Sequence, residues 1–168
     1  HFVAASARLS LAFEVLDGVR AKGEKVLVFL ESRQVQDALV EILQRRYGLR
    51  EQILVINGEV AGSKRKARVD EFEKRKGFDV MILSPRAGGV GLTLTAANHV
   101  IHLARWWNPA VEDQCTDRVY RIGQQRTVHV HQVLAVHPEI GDRSFDLRLA
   151  ALLDRKRQLN RAVLAPTA

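Results

Sequence analysis

The 168-residue sequence predicts an α/β domain, a parallel sheet sandwiched by helices. Three observations lead there. Short apolar runs rich in Val, Ile and Leu recur along the chain, and they are continuous rather than alternating, as strands buried on both faces are. Amphipathic stretches bounded by helix start and stop residues separate them. Strand–helix alternation of this kind brings successive strands into one parallel sheet.

The elements follow in order. The chain opens without Met, inside a stretch that reads as helix, and the expectation is a piece of a longer protein. "KVLVFL" (25–30) reads as a buried strand, bounded by Gly23 and by Ser32 as a helix N-cap. Val35, Ala38, Leu39, Ile42 and Leu43 then recur at helical spacing until Gly48 stops them. "QILVI" (52–56) is a second strand, a helix spans Ser63 to about Lys76, and "DVMIL" (79–83) is a third strand. "HVIHL" (99–103) is a fourth, and Asn108-Pro109 starts another helix, with Asn as cap and Pro at the first helical position. "TVHVHQVLA" (127–135) is the last strand, and a helix runs from about Asp142 to Leu164.

Composition narrows the function classes. Hydrophobic residues make up 46% of a chain of single-domain length, enough for one core. The formal charge of +7 favours a polyanionic partner. Cys115 is the single cysteine, which excludes an internal disulfide and fits a reducing compartment. No apolar run reaches membrane-span length, and the opening residues lack the basic and apolar regions of a signal peptide. An intracellular protein with no membrane partner is expected.

In open α/β sheets ligands collect at the carboxyl ends of the strands. "NGEVAGSKRK", "SPRAGGVGLTLTAAN" and "ARWWNPAVEDQ" are all expected there, after the second, third and fourth strands. The glycines of "GGVG" (88–91) do not make a dinucleotide fingerprint, because Leu94 stands in the third glycine's place and no acid ends the next strand. His129 and His131 share a strand face, but no Cys or third ligand of metal-site spacing accompanies them, so they read as satisfied core residues. The basic run "SKRKARVDEFEKRKG" is either a solvated helix face or, through Lys64 and Arg65, a polyanion contact. Of the adjacent Trp106 and Trp107, one is expected near the surface, where an aromatic beside cations suits a sugar or base. In "EDQCTDRVYRIGQQR" (112–126), Arg118 and Arg121 stand three apart, a spacing that on a helix turns two guanidinium groups toward one anion. Yet the chain has no G-x-x-x-x-G-K-[ST] loop to hold a phosphate. A salt-bridge pair with Glu112 and Asp117 is the alternative.

From about residue 10 to 164 the sequence resembles the second RecA-like lobe of the Swi/Snf-type ATPases, superfamily-two helicase relatives that translocate on double-stranded DNA. "VLVFLESRQVQDALVEIL" looks like the family's motif four and "INGEVAGSKRKARVDEF" like the segment after it. "LSPRAGGVGLTLTAANHVI" resembles motif five. "WWNPAVEDQCTDRVYRIGQQRTVHVHQVL" resembles the W-N-P segment with motif six. Four motifs in order make the resemblance specific. The chain departs from the usual pattern at Ala104 and Arg105, where an aspartate often precedes the tryptophans, at Thr93 for Asn, and at Cys115 for Ala.

The resemblance implies a RecA-like parallel sheet sandwiched by helices, a helicase C-terminal lobe over residues 1–168, belonging to a longer two-lobe motor. It implies that ATP and Mg²⁺ are held mainly by an N-terminal RecA-like lobe of the same protein. Arg118 and Arg121 would act as arginine fingers on the ATP phosphates, with Gln114, Gly89 and Gly91 also at the nucleotide. Duplex DNA would be contacted through Ser84, Arg86, Thr93, Thr95, Trp107, Lys64 and Arg65, with a DNA-bound protein complex as a further partner. A non-catalytic nucleic-acid module would have lost the arginine pair or the glycines, and an RNA-helicase lobe would lack Trp-Trp-Asn-Pro and Arg-Ile-Gly-Gln.

Overall fold

The computed structural model describes residues 6–87 and 91–164. Its strands are β1 (Lys25–Phe29), β2 (Leu54–Ile56), β3 (Asp79–Leu83), β4 (His99–His102) and β5 (His129–Gln132). Its helices are α1 (Ala7–Ala21), α2 (Arg33–Tyr47), α3 (Gly62–Lys74), α4 (Pro109–Thr116) and α5 (Phe145–Leu164). The strands form one sheet in the order β2-β3-β1-β4-β5, with every pair parallel.

The apolar strands are buried because the pleat sends alternate residues into two cores. Val26, Val28, Val80, Ile82 and Ile101 pack against Leu9, Phe13, Leu16 and Val19 of α1 and Leu39, Leu43 and Tyr47 of α2. Leu27, Phe29, Met81, Leu83 and Val100 pack on the other face against Val69 and Phe72 of α3 and against Cys115 and Val119. Leu94 and Ala97 join that second core, so the β3–β4 connection crosses this face from the carboxyl to the amino edge of the sheet.

Local signals set most boundaries. Ser6 caps α1 by accepting from the Leu9 N–H at 3.4 Å, and Asn108 caps α4 by accepting from Ala110 N–H at 3.0 Å. Gly48 ends α2 at φ 57°, a left-handed conformation suited to glycine. Ser32 precedes α2 as expected, but its hydroxyl makes no cap bond and its carbonyl accepts from Gln36 N–H instead.

The last strand is shorter than the expected 127–135, and the expectation of cover on both faces fails for it. β5 is the sheet edge and mostly exposed, because His129, His131 and Gln132 tolerate water where the inner strands carry aliphatic residues. The C-terminal helix starts at Phe145, three residues after its expected start, behind a 3-10 turn at Gly141–Arg143.

Candidate functional site

The arginine pair is not on a helix. α4 ends at Thr116, and Arg118 and Arg121 lie in the turns that follow. The carbonyl of Arg118, which a continuing helix would offer to residue 122, accepts instead from Leu94 N–H at 3.0 Å. This tertiary bond joins motif six to motif five. Two more ties reinforce it. Arg121 Nη1 donates to Thr93 Oγ1 at 3.3 Å, and Gln124 Nε2 donates to the Thr95 and Ala97 carbonyls at 3.1 and 2.7 Å. Ala97 leads directly into β4, so the arginines sit over the sheet face beside the descending connection, rather than at the carboxyl ends.

Their environments differ sharply. Arg118 is 4% exposed, and its Nε has no hydrogen-bond partner among the described residues. Burial pushes its pKa below the ordinary arginine range, with Cys115 opposing only in part, though so strong a base stays charged near neutral pH. Arg121 is exposed, and its Nε donates to the Asp117 carbonyl at 3.2 Å. Beside it Tyr120 and Ile122 are also exposed, the isoleucine fully. The salt-bridge alternative does not hold among the described residues: Glu112 is taken by Arg105 and Arg157, and Asp117 meets Arg121 through its carbonyl. Gln114, on α4, is exposed. Gly91 has φ 52°, a left-handed backbone that a side chain would strain. Gly89 lies outside the described residues.

The carboxyl edge carries a second group. Arg86 is exposed and its guanidinium lies 5.6 Å from the centre of the Trp106 ring. Trp106 is half-buried, while Trp107 is 61% exposed, packing edge-on against Phe145 at 6.1 Å. Lys64 is exposed there, whereas Thr95 lies half-buried in the β3–β4 connection beside the arginine turn. Two expected contact residues are occupied internally. Ser84 is buried and its hydroxyl donates to Glu31 at 2.8 Å. Arg65 braces its loop by donating to the carbonyls of Val60 at 2.7 Å and Ala87 at 3.2 Å.

Sequence reasoning missed the residue that organises this edge. Glu112 is 1% exposed and accepts from Arg105, from the Trp106 N–H and from Arg157 of α5. Burial pushes its pKa up, but the bonds from Arg105, Trp106 N–H and Arg157 overcome that and hold it below the usual carboxylate range. Nothing in the spacing announces it, since the Trp loop is irregular and Arg157 arrives from a distant helix. His129 and His131 are not core residues: on the edge strand β5 the first is exposed and the second half-buried. His99 bonds Glu24 at 2.6 Å and His131 at 3.1 Å.

A parallel RecA-like sheet with the arginine turn tied to a glycine loop defines a helicase-type lobe, and residues 8–123 match the helicase conserved C-terminal domain. The chain belongs to that family, as the C-terminal lobe of a Swi/Snf-type ATPase. It is 39% identical over 159 residues to a putative ATP-dependent helicase/translocase, YwqA, of Bacillus subtilis, covering 95% of this chain and 16% of the relative. It is 40% identical over 149 residues to the Zorya protein ZorD of Escherichia coli, covering 86% of this chain and 13% of that protein. The C-terminal part of the Fun30 ATPase domain superposes with a TM-score of 0.77 at 28% identity, covering 89% of this chain and 46% of that one. The Sulfolobus solfataricus SWI2/SNF2 ATPase core in complex with double-stranded DNA gives 0.74 at 29% identity, covering 96% and 32%. The chain thus spans about a sixth or less of the curated relatives described.

Proposed function

We propose that this lobe supplies two arginine fingers to ATP held by an N-terminal RecA-like lobe of the same protein, and grips duplex DNA through its carboxyl edge and motif-five loop. The observation that carries the reading is the buried Arg118, without a carboxylate bond among the described residues and fixed to the motif-five loop, with Arg121 exposed beside it. A charged guanidinium with no carboxylate bonded to it among the described residues suits an anion brought by another body. Exposed Tyr120 and Ile122 beside it fit a surface that closes on that body.

ATP and Mg²⁺ would be held mainly by the first lobe, and ATP supplies the phosphoryl group that is transferred. This chain's residues would orient and neutralise its oxygens: Arg118 from a fixed position, Arg121 from the surface, with Gln114 and the amides around Gly91 nearby. Such groups act chiefly on charge that develops in the transition state. Lys64, Arg86, Thr93, Thr95 and Trp107 would contact DNA, the cations and hydroxyls at phosphates and Trp107 at a sugar or base. Ser84 and Arg65 would instead hold the loops that present them. Phosphate contacts carry no sequence information, which suits a translocating motor on an intracellular duplex, whether free or in a protein complex.

The test uses the whole two-lobe protein. Arg121→Ala lowers DNA-stimulated ATP hydrolysis by about 10³–10⁵ with duplex affinity little changed, the range typical of a removed finger. Arg121→Lys does not rescue, because an ammonium lacks the planar fork. A surface ion pair is worth only about 0–1 kcal/mol. Turnover within a few-fold of wild type for both Arg118→Ala and Arg121→Ala would remove the finger assignment.

A further inference from the structure

Arg105 stands immediately before the tryptophans, and the structure gives it a task. Its side chain is 2% exposed and forks onto Glu112, Nε to Oε1 at 2.8 Å and Nη2 to Oε2 at 3.1 Å. Glu112 Oε1 also accepts from the Trp106 main-chain N–H at 3.1 Å. From the far side Arg157 of α5 donates Nη2 to Glu112 Oε2 at 3.0 Å and reaches Asp113 at 2.9 Å. One helical residue earlier, Lys156 Nζ donates to the Trp107 carbonyl at 3.0 Å, and Phe145 meets the Trp107 ring. The tryptophan loop is therefore tied to α4 and α5 at both its main chain and its exposed ring.

We propose that Glu112, held between Arg105 and Arg157, is the positioning residue of the tryptophan loop, and that α5 through this clamp sets how Trp107 is presented to duplex DNA. The last clause rests on the DNA reading above; the clamp itself does not. Arg157 is the member that gives the clamp its reach. Without it α5 still packs through buried Leu149 and Leu153, but the carboxylate loses its tie to the helix. A buried carboxylate facing two guanidinium groups has one low-energy arrangement, and a loop fastened to it shares that order.

The two tryptophans of the chain are both in this loop, so tryptophan emission, excited on the red edge where Tyr47 and Tyr120 do not absorb, reports on it alone. Arg157→Met and Arg105→Met are compared with wild type and with Arg155→Met, which removes an equal charge from an exposed position of the same helix. Acrylamide quenching and anisotropy are read well below each variant's melting temperature, and duplex affinity is read by titration at fixed salt. The expected result is greater quenching and lower anisotropy for the two clamp variants only. Their duplex affinity falls about five- to hundredfold, the range of one lost aromatic contact. Arg157→Lys recovers part of both. Clamp variants that quench like wild type and bind like Arg155→Met overturn the proposal. A wild-type chain that binds no duplex removes the DNA reading, while the quenching comparison still decides the clamp.

Discussion

Replacing Arg118 by Met in the isolated chain is expected to stabilise it. The side chain is 4% exposed and its Nε finds no acceptor among the described residues. A buried donor left unsatisfied costs about 1–3 kcal/mol, and removing the charge removes a desolvation penalty that pushes the guanidinium pKa down. Met retains the length and most of the packing of the arginine stem, and a volume-conserving exchange usually costs below about 1.5 kcal/mol. The balance is a gain of about 1–2 kcal/mol, or roughly 2–8 °C in melting temperature for a domain of this size. Thermal unfolding followed by circular dichroism measures it, with a urea titration to show that the slope is unchanged. The same substitution in the whole protein should remove turnover, since a site residue can be costly to the fold that carries it. A melting temperature lowered by several degrees would refute the reasoning: Arg118 would then be holding the turn together, and its loss of activity would report unfolding.

Other outcomes follow from neighbouring groups. Lys64→Ala should leave the melting temperature unchanged and reduce the salt dependence of duplex binding by about 0.9 in log–log slope. Arg65→Ala should lower the melting temperature, because the Val60 and Ala87 carbonyls lose their donor. Burial pushes His102 down to about 4 from its ordinary 6.5. A folded pKa below the unfolded one gives stability that is full above about pH 6.5 and lost as pH falls toward 4, on the order of 3 kcal/mol at about 1.4 kcal/mol per unit. His99 and His131 are shifted the same way by burial, so the measurement is the difference in denaturation midpoint between wild type and His102→Gln across that window. A difference independent of pH would mean that His102 does not titrate there.

How much was legible in the sequence depended on whether local or distant groups decide a position. The inner strands could be read because burial on both faces demands continuous apolar runs, and Asn108-Pro109 could be read because a cap acts within one turn. β5 read less well: His129 and His131 break the apolar run, and an edge strand is not forced to replace them. The arginine spacing suggested a helix, and what overrode it lies 24 residues upstream, where Leu94 N–H captures the Arg118 carbonyl. The role of Glu112 was hidden for the same reason, since its partners come from an irregular loop and from α5.

That capture also explains why two arginines three apart need not be duplicates. Had α4 continued through them, both would have shared one exposed face and similar freedom. With the helix stopped at Thr116, Arg118 is driven inward, and its stem loses its rotamer freedom when the lobe folds rather than when a ligand arrives. Arg121 stays at the surface on two weak contacts, at 3.2 and 3.3 Å, each replaceable by a phosphate oxygen at little cost. A fixed charge serves best where the anion always docks in one place, and a loosely held one where it must be met and released in each cycle. On this argument Arg118→Ala should weaken ATP binding as well as turnover, whereas Arg121→Ala should act on turnover with ATP affinity nearly unchanged. Single-turnover hydrolysis beside equilibrium nucleotide binding separates the two. Equal losses of affinity in both variants would mean that the burial difference has no part in how the arginines divide the work.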